Sequence, residues 1–344
     1  MRTLTLRELG RATLARQFLL ERRRATPAAA IARLAGMQAQ WAPAPFVGLW
    51  SRLEAFERPA LERALARGLV VKATVMRQTL HLLARSDYGV FVEALRDAPG
   101  WADPESQAIG ERLAPELRAL FLDGARTRKD AFDYLAREHG IDDPVQQGRV
   151  WHVARIRAHV VQTPESAFWQ PLRDRLFHAL DEPEPVEATA ARAALVRRYL
   201  AAFGPASRAD VADWSGLRVR DFESALERLE PLRRFRSEDG RELLDLPRAP
   251  LPAGDPTTQV RFLPKWDSVL LAHADRRRVL PEEYRSVVIQ RNGDVQQSFL
   301  VAGLVAGTWR VERGRVVPEP FEPLPLAARR EVETEAARLA AWLA

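Results

Sequence analysis

The 344 residues are 47% hydrophobic, carry 52 lysines and arginines against 46 acids, and contain no cysteine. The missing cysteines remove disulfides, thiolate metal sites and iron–sulfur clusters, and no apolar run approaches the roughly 18 residues of a membrane span. The net charge of +6 favours a polyanionic partner. Only Lys72, Lys129 and Lys265 are lysines, so chemistry that needs a Schiff-base amine has three candidates.

Met1 to Leu6 runs straight into an amphipathic pattern with no basic stretch, apolar core and cleavage site, so a cytoplasmic location is expected. The pattern predicts a helix from Leu4 to Leu20. A loose repeat follows. Its first copy is Thr26-Pro27 followed by Ala28 to Ala35 and Gly36, a helix with a capping hydroxyl, a first-turn proline and a glycine stop. The second copy starts at Thr127 with Asp130 three residues on and closes near Gly140. The third starts at Ser207 with Asp210 and closes at Gly216.

Each copy leads to a second helical stretch: Pro59 to Arg67, reached through an insertion, then Val145 to Ala158, then Arg220 to Leu229. Each then gives way to β-prone segments: Leu69 to Thr74 with Thr79 to Leu83, then His159 to Gln162, then Leu232 to Leu246. Helices followed by a hairpin are the winged-helix order, and the helix-turn-helix places its second helix where a major groove could receive it.

The stretch Asp181 to Glu187 is acidic and proline-rich and reads as a linker. Further strands are expected near Val260 to Leu263, Ser286 to Gln290, Ser298 to Val301 and Gly307 to Arg313, with Asn292-Gly293 as a hairpin turn and a final helix from Leu326 to Leu343. The expected fold is therefore α+β and predominantly α, with tandem winged-helix units and a β-rich C-terminal extension. The units would be residues 1–95, 96–180 and 190–344, with 181–189 as the linker.

The common catalytic motifs are absent. There is no Gly-x-x-x-x-Gly-Lys-Ser/Thr loop, no Gly-x-Ser-x-Gly elbow and no His-Glu-x-x-His pair among the six histidines, so neither a metal site nor a cofactor is expected. The run Gly36-Met37-Gln38-Ala39-Gln40 puts two glutamines around one small residue, a pattern that is usually a solvated turn.

Gly36 to Gln40, followed by Pro43 to Pro45 and Trp50-Ser51-Arg52-Leu53, resembles the start of the AlkZ-like winged-helix DNA glycosylases. The resemblance extends along nearly the whole chain. Met76-Arg77-Gln78-Thr79-Leu80-His81-Leu82 looks like the family's Arg-Gly-Thr-x-His wing segment. Phe203 to Ser207 with Trp214 to Leu217 resembles its third winged helix, and Phe262 to Leu271 its Leu-Pro-x-Phe/Trp-Asp segment. Gln78 stands where the family often has glycine. That predicts a different wing turn, because glutamine resists positive φ.

The resemblance implies a monofunctional glycosylase that removes alkylated bases, bulky adducts and crosslinks included, from double-stranded DNA as a monomer. Gln38 and Gln40 would position the hydrolytic water. An amide offers an accepting oxygen and donating NH2 but no base at neutral pH, which confines such an enzyme to bases already activated as cationic leaving groups. Arg52, Arg77, Thr79 and His81 are the candidate DNA contacts, and Asp267 is expected to pair with an arginine of the third unit. A lyase route is disfavoured because none of the lysines neighbours the glutamines in sequence. The alternatives are a non-catalytic winged-helix DNA-binding protein or transcriptional regulator, or a structural module that does not touch DNA.

Overall fold

The computed structural model describes residues 1–253 and 259–344. The chain opens with β1 (Thr3–Leu4) and α1 (Leu6–Arg16). This helix is shorter than the expected Leu4 to Leu20. Thr5 accepts from the Glu8 amide while the Glu8 carboxylate accepts from Thr5 N at 2.9 Å, so the capping box starts the helix at Leu6 and leaves Leu4 to a strand.

The first repeat contains α2 (Pro27–Arg33), β2 (Met37–Gln38), α3 (Ala44–Arg52), α4 (Arg58–Ala66), β3 (Val70–Thr74) and β4 (Leu80–Ala84). The span read as an insertion is thus the helix α3. After α5 (Arg85–Ala94) the order recurs as α6 (Pro104–Leu122), β5 (Arg126–Thr127), α7 (Arg128–His139), α8 (Pro144–Arg157), β6 (Val160–Gln162) and β7 (Leu176–Ala179). It recurs again as α9 (Ala188–Phe203), α10 (Arg208–Ser215), α11 (Val219–Glu227), β8 (Arg233–Ser237) and β9 (Glu242–Asp245). In each copy a short segment after the leading helix pairs antiparallel with the last strand: β2 with β4, β5 with β7, and the single bridge Ala206 to Leu244.

The capping signals are realised. Thr26, Thr127 and Ser207 accept from the amides of Ala29, Asp130 and Asp210, and Gly140 and Gly216 end their helices in the left-handed conformation. The first two copies share one six-stranded sheet, in the order β2-β4-β3-β6-β7-β5, joined where Lys72 of β3 faces Gln162 of β6. No regular element lies between Leu180 and Glu187, and Glu187 caps α9.

The opening helix, expected in the first unit, packs against α9 of the third copy, and β1 pairs in parallel with β8. Arg16 fixes it there. Its side chain is fully buried and makes a two-pronged pair with Asp245 at 2.7 and 2.9 Å.

The C-terminal portion holds β10 (Arg261–Leu263), α12 (Arg285–Val288), β11 (Ser298–Val301), β12 (Leu304–Glu312), β13 (Arg315–Pro320) and α13 (Leu326–Leu343). The four strands form one antiparallel sheet in chain order. The strand expected over Ser286 to Gln290 is instead mostly α12. Pro281 opens a helical turn that runs on into it, and Val288 buries in the core, so only Ile289 bridges back to Val295 around the Asn292-Gly293 turn. The final helix has the expected bounds, and its Trp342 donates to Phe56 O while packing on Trp50 and Trp169. Among the described residues, no helix is long and apolar enough to cross a membrane.

The Arg16–Asp245 pair sets a stability test. Asp245→Asn leaves a buried guanidinium without its counter-charge, a change that costs about 3–5 kcal/mol. A lowered denaturant midpoint at unchanged m-value is expected.

Candidate active site

The glutamine pair is placed by the turn that follows α2. Ala35 has φ +58° and Gly36 has φ +89°, so the chain reverses within two residues and delivers Met37 to the sheet edge. The φ of Gly36 favours glycine, and a Cβ there would also press on a Leu83 methyl at 2.8 Å and on Leu82 O at 3.3 Å. Gln38 then sits opposite His81 in the β2–β4 ladder, and Ala39 N continues the pairing to Leu80 O at 2.7 Å.

Gln38 is buried, with 8% of its surface exposed, whereas Gln40 is exposed. Each amide has its orientation set by a protein donor. Gln38 Oε1 accepts from Arg77 Nη2 at 3.3 Å, and Gln40 Oε1 accepts from Leu80 N at 3.1 Å. Neither donor can face an NH2 group, so both amide oxygens point inward, with one lone pair on each still available.

Arg77 and Gln78 occupy the turn between β3 and β4 with φ of +50° and +55°. The glutamine adopts the left-handed conformation despite its side chain. Its amide is tied on both ends: Nε2 donates to Pro99 O at 3.3 Å, and Oε1 lies 2.8 Å from His152 Nε2. The Arg77 guanidinium also donates to Trp214 O at 2.6 Å. The third copy comes close here, since a Cβ at Gly216 would lie 3.3 Å from the Arg77 backbone.

The candidate DNA contacts divide. Arg77 and Thr79 are half-buried, and Thr79 Oγ1 donates back to Met76 O at 3.1 Å, closing the turn. His81 is 2% exposed and lies beneath Gln38, which corrects its expected place on a DNA-facing wing. Its Nδ1 is 3.0 Å from Thr79 O, which fixes the proton on Nδ1. Burial and the nearby Arg77 charge push its pKa down to about 3, so it is neutral at pH 7.

Arg52 is also corrected. It is 1% exposed and makes a two-pronged pair with Asp267 at 2.7 and 2.8 Å, so its charge is spent inside the protein and no phosphate reaches it. Asp267 was expected to pair within the third unit; its partner instead comes from α3.

That pair forms one wall of a small cleft beside Gln38, lined also by Gln17, Met37, Pro264, Lys265 and Trp266. Lys265 is therefore the residue that sequence reasoning missed. It is distant from the glutamines in sequence but lines the same cleft, where Asp294 holds its ammonium at 2.8 Å. The segment Leu263 to Asp267 carried the signal, through its lone lysine between proline and tryptophan. A larger apolar cavity of about 60 Å³ opens behind Gln78, lined by Val75, Leu95 and His152. None of the candidate residues lines it, and His152 is pushed down to about 3 by burial and Arg155.

Three buried histidines make stability depend on pH, and His273 is one of them, pushed down to about 3 by burial and the Arg278 charge. His81, His152 and His273 have folded values near 3 against an ordinary 6.5, so the unfolded chain takes up their protons first. Their stabilisation is complete above pH 6.5 and is lost as pH falls from 6.5 toward 3, by at most about 1.4 kcal/mol per pH unit for each. A thermal midpoint that drops on acidification through this range is expected. A flat profile would contradict the neutral, enclosed imidazoles.

With the geometry in place, the chain can be compared with known proteins. It matches the family described as DNA glycosylase AlkZ-like over residues 31–342. It is 27% identical over 358 aligned positions to an interstrand DNA cross-link repair glycosylase of Streptomyces sahachiroi, covering 94% of this chain and 93% of that protein. The solved structure of Streptomyces sahachiroi DNA glycosylase AlkZ has the same fold, with a TM-score of 0.85 and 23% identity over 98% of this chain and 97% of that one. The chain therefore belongs to the AlkZ-like family of DNA glycosylases.

Proposed function

We propose that this chain is a monofunctional enzyme that hydrolyses the N-glycosidic bond of cationic N7-alkylated purines in duplex DNA. The observation that carries the reading is a pair of amides, Gln38 lining the cleft and Gln40 exposed two residues on, each oriented by a protein donor at 3.3 and 3.1 Å. Alkylation at N7 makes the base a cationic leaving group, so the bond breaks with oxocarbenium character and needs little acid catalysis. What remains is to hold a water and to stabilise positive charge on the sugar. The free lone pairs of the two amide oxygens suit both tasks.

Bulky adducts and crosslinks enter the reading from the aligned relative, whose name specifies interstrand cross-link repair. The cleft holds only about 10 Å³, far below the roughly 300–1,000 Å³ of ordinary small-molecule sites, which favours an open cradle for a bulky lesion over a deep base pocket. Hydrolysis is favoured over amine attack because the one lysine in the cleft, Lys265, is paired with Asp294. The three repeated element sets are read as winged-helix units that form a monomeric cradle around DNA in the cytoplasm, at the nucleoid. In this reading Arg77 and Thr79 stay at the DNA-facing turn, with Arg77 also orienting Gln38.

The test is release of N7-methylguanine from a duplex under single-turnover conditions. Gln38→Ala and Gln40→Ala should each slow release by about 100-fold while duplex affinity persists. Borohydride should trap no covalent protein–DNA adduct. Tight duplex binding by the wild type without release from methylated or bulky-adduct DNA would favour a non-catalytic DNA-binding protein.

A further inference from the structure

The central sheet has two faces, and the ladder registers assign its polar residues to them. Gln38, His81 and Ala73 lie directly across from one another and share one face. Met37, Leu82, Lys72 and Gln162 share the other. Lys72 sits where the strands of the first two copies meet, between two separate hydrophobic clusters.

Lys72 is 5% exposed, yet it makes no hydrogen bond or ion pair among the described residues. The charge that bears on it is a second cation, Arg175, just before β7. Arg175 is half-buried and likewise has no ion pair or hydrogen bond among the described residues. Beside them Gln162 Oε1 is buried without a partner, and Thr74 Oγ1, two residues along β3 on the Lys72 face, is also buried and unpartnered. The other buried cations all have partners: Arg16 and Arg52 each hold an aspartate in a two-pronged pair, and Arg261 and Arg278 donate to backbone carbonyls. Lys72 pairs with Gln162, and Arg175 lies two residues before the Phe177 that pairs with Gln162 on its other side; two such cations with no counter-charge, beside an amide and a hydroxyl with free hydrogen-bonding capacity, make an incomplete site.

We propose that Lys72, Arg175 and Gln162 form a seat for a phosphate-type oxyanion on the sheet face opposite the glutamine pair. The ammonium donates to one oxygen and the guanidinium fork to two. The Gln162 amide contributes its NH2 once turned, since its oxygen has no partner to hold it. Without the anion, burial and Arg175 push the Lys72 ammonium down to about 8, so the empty site is strained in the direction an anion relieves. A nucleophilic amine acting on a sugar at Gln38 does not fit, because Lys72 lies across the sheet from that residue.

The phosphate could be a nucleic-acid phosphodiester or free inorganic phosphate, and two measurements on the full chain separate these sources. The first is the thermal midpoint against inorganic phosphate, with chloride holding ionic strength constant. The wild type should gain roughly 2–4 °C on saturation. Lys72→Met and Arg175→Met should lose that gain, and Arg173→Met, an exposed neighbour, should keep it. Because the gain is compared within each protein, a variant that is itself more or less stable still reports. An equal gain in wild type, Lys72→Met and Arg175→Met would be the general stabilisation that phosphate gives any protein and would overturn the seat. The second is the salt dependence of duplex binding. A log–log slope smaller by about one in Lys72→Met identifies a DNA phosphate as the occupant, and an unchanged slope alongside a lost thermal gain identifies the free anion. Neither measurement needs base release, so the seat and the catalytic reading stand or fall separately.

Discussion

The Arg52–Asp267 pair is the constraint on which the site depends. It joins α3 of the first copy to the segment after β10, with Ser51 Oγ donating to Phe262 O alongside it. Without that junction the segment carrying Lys265 and Trp266 would have no fixed place, and Gln38 would face open solvent rather than a cleft. A buried, two-pronged pair suits the role because its geometry is planar and directional, whereas apolar packing tolerates sliding. The Gly48 carbonyl adds a further bond, accepting from Arg52 Nη1 at 3.0 Å, while Arg52 Nε is buried without a partner.

The same logic organises the glutamines. A free glutamine side chain rotates and flips, and neither state is useful for holding a water. Here a guanidinium on one side and a backbone N–H on the other choose the flip for both. Arg77 links this local order to the third copy, since one guanidinium reaches Gln38 and the Trp214 carbonyl together. The left-handed turn at Arg77 and Gln78 makes that reach possible, and the bonds from Gln78 to Pro99 and His152 compensate its backbone cost of about 1–3 kcal/mol for each residue.

Local signals in the sequence were readable where their cause is local. Thr26, Thr127 and Ser207 announce helix starts because a hydroxyl must satisfy amides within three residues. The last helix was bounded by its period and the prolines before it. What escaped is non-local. The α3 segment is buried along its whole length, Ser51 and Arg52 included, so its polar residues do not mark a solvent face. Arg52 reads as a phosphate contact by residue type, and only Asp267, 215 positions away, reveals that its charge is already used. The lysines were judged by distance along the chain, which misses that Lys265 shares the cleft with Gln38. The glutamine spacing was visible, but the orientation of the two amides depends on Arg77 and Leu80.

The pairing of β1 with β8 has a bearing on how the chain is made. Leu4 meets Ser237, and the Leu6 amide donates to Glu238, so these residues wait for partners synthesised more than two hundred positions later. At 5–20 residues per second that interval is about 10–50 s. During it α1 exposes its apolar face, with Leu9 uncovered until Phe235 and Leu243 emerge and Leu14 until the segment from Leu263 to Val305 follows. The opening helix is therefore locked late, and the two repeats that carry the shared sheet are made before its partners exist. Nascent-chain handling, rather than the equilibrium stability of the finished fold, is then the stage at which this topology is most exposed to aggregation.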